Sequence, residues 1–152
     1  MRAALPAPTE VTAVSSTATQ TEVAIIASAR PVAKRAAEVY RLLARVLLGA
    51  LAVQLFFAGL GVFNITSFLP HAILGTVIVL ASFAMPVVAW RGHLGSAILR
   101  RSWLLVALML VQGLLIDAGR LVPIISALHP VNAMLLVLVT YGLTRKEISA
   151  AV

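Results

Sequence analysis

From Val46 to Trp90 the chain carries no charged residue. A single bilayer crossing takes about 20 apolar residues, so a run of this length predicts two crossings rather than one. The division falls where turn-forming residues gather, at Asn64, Thr66, Ser67 and Pro70. The spacing predicts helix 1 over about 42–63 and helix 2 over about 71–90. Pro86 lies late in helix 2, where it removes a backbone donor and should kink or weaken the last turn. A second pair follows, helix 3 over about 101–121 and helix 4 over about 130–143. Pro123 sits in the connection between them, and Arg145, Lys146 and Glu147 close the last helix.

Composition supports this division. Hydrophobic residues make up 61% and charged residues 11% of the 152 positions. A soluble domain has roughly 45–50% and ~25% respectively, and a small one needs its polar residues to cover its surface. The expected fold class is all-α: an integral membrane four-helix bundle over residues 36–148, preceded by a disordered tail over residues 1–35. The tail up to about Ala29 is rich in Ala, Thr, Ser and Pro and lacks helical apolar periodicity. It has little to bury against chain entropy. Its apolar patch, Val23 to Ala27, is too short to span and follows Glu10 and Glu22, which argues against a cleaved signal peptide.

The charges predict an orientation. Of the 12 Lys and Arg residues, 11 lie in the N-terminal flank, the helix 2–3 loop and the C-terminus; Arg120 alone lies in the opposite loops. Basic loops stay on the cytoplasmic side, so both termini are expected to be cytoplasmic in a bacterial inner membrane. A net charge of +7 would suggest nucleic acid in a soluble protein. Here the basic residues flank apolar blocks, so the expected partner is the lipid bilayer and not nucleic acid. There is no cysteine. Disulfides, cysteine-ligated zinc, iron–sulfur clusters and covalently attached c-type haem are thereby excluded.

The two helical pairs repeat. Gln54 precedes His71 by 17 residues, Gln112 precedes His129 by 17, and the two sets are 58 residues apart. Gly61 and Gly119 align under the same offset, as do Val79-Leu80 and Val137-Leu138. Scarce residues such as Gln, Gly and His carry the signal, since Val and Leu match cheaply in so apolar a chain. Two repeated hairpins predict a parallel repeat about the membrane normal, with His71 and His129 facing each other at one depth. Pro130 disfavours helical backbone at His129, so His129 is expected as the cap and Pro130 as the first helical residue. His71 follows Pro70 and falls inside the first turn. His93, among arginines on the inner side, reads as a loop or headgroup residue.

Two facing imidazoles suit a haem iron with two axial ligands. On this reading His71 and His129 hold a noncovalent haem b. Arg120, the one cation on that side, is the natural propionate partner. Asn132 would fix a ring, a propionate or the helix terminus. Gln54 and Gln112 would form interhelical hydrogen bonds or line the cofactor pocket. Asp117 and Arg120, three apart on one helical face, read equally as an interfacial ion pair. A closed copper or zinc site would want more ligands than two histidines.

The Gln-x16-His pattern closing each hairpin resembles one half of haem A synthase, an enzyme of two fused four-helix bundles with histidine pairs at the outer helix ends. The stretches from Val53 to Phe63 and from Ala127 to Ala133 also resemble a family of small four-helix bacterial membrane proteins of unknown function. The resemblance covers about Leu42 to Arg145. It implies a four-helix fold with His71 and His129 at haem-ligand positions. The departures are that this chain has one bundle, no acidic residue from Asn64 to Pro70 and no cysteine. Haem A synthesis by this chain alone is therefore not implied. The leading expectation is a b-type haem protein in membrane electron transfer or haem handling, alone, as a homodimer or with a membrane redox partner. Whether it is an enzyme stays open. The alternative is a non-catalytic accessory or scaffold subunit without cofactor. A small-solute transporter ranks last, since no broken helix pair or intramembrane charge relay stands out.

Overall fold

The computed structural model describes the backbone of residues 9–145 and the side chains of residues 32–145. Six helices follow one another: α1 (Thr9–Val62), α2 (Leu69–Ser82), α3 (Ala84–Arg91), α4 (Ser96–Gly119), α5 (Pro123–Ser126) and α6 (Leu128–Leu143). They make four segments long and apolar enough to cross a membrane: Val32–Val62, Leu69–Arg91, Ser96–Gly119 and Pro123–Leu143. Two units are distinguished, residues 1–32 and 33–152, and the second carries the hairpins described below. The described backbone begins at Thr9, within the stretch expected as the N-terminal tail. Alanine, the strongest helix former, recurs through that stretch at Ala13, Ala18, Ala24, Ala27 and Ala29, and local propensity needs no buried face. Residues 1–8 of the expected tail lie outside the described residues.

Prolines set the internal boundaries. Pro86 cannot donate to the Ser82 carbonyl, and the helix breaks three residues earlier, at Phe83, between α2 and α3. Pro130 acts in the same way on Ser126, and the break falls at Ala127, between α5 and α6. Both prolines then sit in the first turn of the following helix, where a missing N–H costs nothing. Pro70 and Pro123 occupy the first turns of α2 and α5. The expectation that His129 caps a helix beginning at Pro130 is corrected. α6 starts at Leu128, and His129 lies inside its first turn, as His71 does in α2. Helix α4 likewise starts earlier than expected, at Ser96. Asn64 (φ 57°) and His93 (φ 49°) adopt the left-handed conformation that ends a helix. The following N–H groups close each end, Ile65 on the Leu60 carbonyl and Leu94 on Ala89.

Short connections turn each pair of segments into a helical hairpin, α1 with α2–α3 and α4 with α5–α6. The interior follows the 58-residue offset position by position. Buried partners include Ala44 with Ser102, Leu47 with Leu105, Leu51 with Met109, Ile78 with Leu136, Ser82 with Thr140 and Met85 with Leu143. Within this mostly apolar interior a few small polar residues are buried, Ser82, Ser102, Thr140 and Asn132, while large apolar ones such as Leu42, Phe56, Leu80, Leu114 and Leu138 are exposed. Lipid as the surrounding solvent explains both halves of that pattern. Apolar side chains lose nothing by facing acyl chains, and small hydroxyl residues let helices approach closely. This is the architecture of a multi-pass membrane protein.

The hairpin tips repeat as well. A Cβ on Gly61 would meet the Phe68 ring at 2.8 Å, and one on Gly119 would overlap the Ser126 side chain. Phe68 and Ser126 are themselves 58 residues apart. At each tip the first helix comes against the start of the second at a glycine, which permits the close approach.

Candidate histidine pair

Each hairpin is closed by a reciprocal clasp. In the first, the Gln54 Nε2 amide donates to the His71 carbonyl at 2.8 Å, and His71 Nδ1 lies 3.1 Å from the Gln54 carbonyl. In the second, Gln112 Nε2 donates to the His129 carbonyl at 3.0 Å, and His129 Nδ1 lies 3.1 Å from the Gln112 carbonyl. A carbonyl oxygen only accepts, so both Nδ1 atoms carry the proton. In the neutral imidazole this sets the tautomer and leaves Nε2 as the acceptor nitrogen of each ring. The sequence expectation of an interhelical hydrogen bond at Gln54 and Gln112 is met. The bond lies within each hairpin, and its partner is the histidine 17 residues on.

The two rings come together. The His71 and His129 centroids are 6.2 Å apart, with the planes inclined at 57°. Equivalent positions of the repeat thus face each other, as a two-fold relation between hairpins requires. The rings are half-buried. Among the described residues no group of three or more His, Asp or Glu side chains gathers as a metal cluster. Any metal held here by this chain would rest on the two imidazoles.

Other candidates fall in different places. Asn132 is buried and serves the clasp: its Nδ2 donates to the Leu108 carbonyl at 2.9 Å and to Gln112 Oε1 at 2.5 Å. Arg120 lies just beyond α4, paired with Asp117 at 3.8 Å, and both side chains are exposed. It stands at the same end of the second hairpin as His129. His93 is an exposed loop residue at the opposite end. Sequence reasoning missed the Phe68 ring, which stands edge-on to His71 with centroids 6.2 Å apart. It also missed the buried Tyr40–Ser102 hydrogen bond. The repeat gave no signal for Phe68, because its counterpart under the offset is Ser126.

Fold and site together define a membrane-type four-helix protein with two clasped histidines facing each other near one end. A family of unknown function, DUF6220, matches residues 54–119. The match opens on Gln54, includes His71 and Gln112, closes on Gly119, and covers less than half of the chain. No curated protein and no solved structure matches this sequence.

Proposed function

We propose that this chain is a multi-pass protein of the bacterial cytoplasmic membrane, with both termini cytoplasmic, that binds one haem b noncovalently in membrane electron transfer or haem handling. His71 and His129 are the residues that would hold its iron. The observation that carries the reading is the pair of rings 6.2 Å apart, each with its Nδ1 proton already engaged. Two imidazoles at this separation are close enough that one nitrogen of each could bind a single metal ion through bonds of about 2 Å. The residues present fit the group. Hydrogen bonding of Nδ1 to a backbone carbonyl fixes the ring and raises the basicity of Nε2 as a ligand. Gln54 and Gln112 then act as positioning residues for the two rings, and Asn132 acts through Gln112. Arg120, at the same end, is the cation available to a propionate. The haem, when bound, supplies one-electron iron chemistry whose potential depends on ligands and burial. With no cysteine in the chain, attachment is noncovalent.

The test is the absorption spectrum of detergent-purified protein from haem-replete cells. A low-spin haem spectrum is expected in the wild type, and its loss in His71→Ala and in His129→Ala. Haem-free protein that takes up none on reconstitution would sink the reading. The clasps themselves favour a second reading, an accessory or scaffold subunit with no cofactor, since they lock each hairpin unaided. A stoichiometric membrane partner co-purifying without a chromophore would support that one instead.

A further inference from the structure

The two halves of the histidine pair are not equivalent. Gln112 is satisfied at both ends of its amide: Nε2 donates to the His129 carbonyl, and Oε1 accepts from Asn132. Asn132 is itself anchored on the Leu108 carbonyl. A flipped Gln112 amide would set donor against donor and acceptor against acceptor, so its orientation is locked. In the first hairpin the residue 58 positions before Asn132 is Leu74, which has no donor to offer. Gln54 Oε1 is accordingly buried with no hydrogen-bond partner. The next position differs too. Gly75 stands where the second hairpin has Ala133, and a Cβ on Gly75 would meet Gln54 Nε2 at 2.8 Å. Gln54 occupies space left by a missing methyl group and is held by one side-chain hydrogen bond, where Gln112 is held by two.

We propose that His129 is the fixed member of the pair and His71 the releasable one, with Asn132 and its counterpart Leu74 setting the difference. A buried acceptor without a donor weakens the state that buries it, so the Gln54–His71 clasp is the less firmly held of the two. Any group held between the rings is then loaded and released by movement of His71, with His129 staying in place. The inference bears on the same site as the haem reading, but the asymmetry belongs to the chain itself and is measured without haem.

The experiment is proton exchange at the two Nδ1–H groups and the two glutamine side-chain amides, by nitrogen-15 NMR of the full chain, haem-free, in lipid nanodiscs. His71 and Gln54 are expected to exchange about tenfold faster than His129 and Gln112, the weight of about one hydrogen bond. Leu74→Asn should slow His71 and Gln54 to the rates of the second half, while Asn132→Leu should speed His129 and Gln112 to those of the first. Should Asn132→Leu fail to fold, Leu74→Asn decides alone, since it adds a partner and removes none. Equal exchange at both histidines in the wild type, or no slowing in Leu74→Asn, would overturn the proposal. Unequal exchange in a chain that never takes up haem would sustain it while removing the haem reading.

Discussion

Ser102 has one hydroxyl proton, and it goes to the Ile98 carbonyl at 2.9 Å. The 2.6 Å contact between Ser102 Oγ and Tyr40 must therefore have the Tyr40 O–H as donor. Two substitutions that break this one bond should then differ in cost. Tyr40→Phe leaves Ser102 still bonded to Ile98 and should lose about 0.5–1.5 kcal/mol. Ser102→Ala leaves a buried phenol without an acceptor and should lose about 1–3 kcal/mol. Unfolding of each variant in mixed micelles checks the order, and a larger loss in Tyr40→Phe would reverse the donor assignment. Neither residue was legible as a pair, because Tyr40 and Ser102 are 62 positions apart and each breaks the repeat. Their partners under the offset are Ile98 and Ala44, which have no polar side chain. Gln54, Gln112, His71 and His129 were legible for the opposite reason: they are scarce residue types recurring at one spacing. What the spacing left open was the bonding. Facing histidines followed from the repeat, whereas the exchange of bonds between each histidine and its own glutamine depends on where helical rotation places residues 17 apart. The unequal environments of Gln54 and Gln112 arise where the repeat fails, at Leu74 and Asn132.

Among the elements, the hairpin tips carry a difference of the same kind. Phe68 meets the Gly61 position with the far edge of its ring, which can swing away. Ser126 meets the Gly119 position with its Cβ at 2.9 Å and its backbone nitrogen at 3.2 Å, and neither moves without moving α5. Gly119→Ala should therefore destabilise the protein by about 1–3 kcal/mol, with Gly61→Ala costing less. Equal losses for the two would mean that the ring of Phe68 is as firmly held as the α5 backbone. The existence of the four spans was legible from charge and apolar length. Their internal breaks were legible only in part. The proline spacing implies a kink or a weakened last turn at Pro86, and the break at Phe83 agrees with it, whereas Pro130 does not start its helix. In both cases proline acts backwards, on the carbonyl four residues earlier, and the chain resumes as a helix with proline in its first turn. Sequence alone does not say whether a proline ends a helix, kinks it or begins a new one, because that depends on whether neighbouring turns hold the interrupted backbone in line.

On the scale of the whole molecule the open quantity is direction. The fold places the Gln–His clasps and Arg120 at one end and His93, Arg91, Arg100, Arg101 and Arg145 at the other, since each span runs the length of the bundle. Transfer of an arginine-rich loop across a membrane is opposed on the cytoplasmic side, so the basic end is expected inside and the histidine end outside. The difference is large for so small a chain. The connection between α1 and α2 has no charge, and Arg120 beyond α4 is paired with Asp117. Because the natural chain has no cysteine, a single introduced thiol reports one position without background. Ile65→Cys, at an exposed residue of the α1–α2 connection, should react with a membrane-impermeant maleimide on intact cells. Ala97→Cys, exposed at the start of α4, should react only after the membrane is opened. The reverse pattern would put the histidine pair on the cytoplasmic side. Arg120 would then be the one basic residue that obeys the charge rule, and the other 11 would be its exceptions. Reaction of both thiols on intact cells would mean that the chain inserts in two directions, leaving the charge asymmetry too weak to decide.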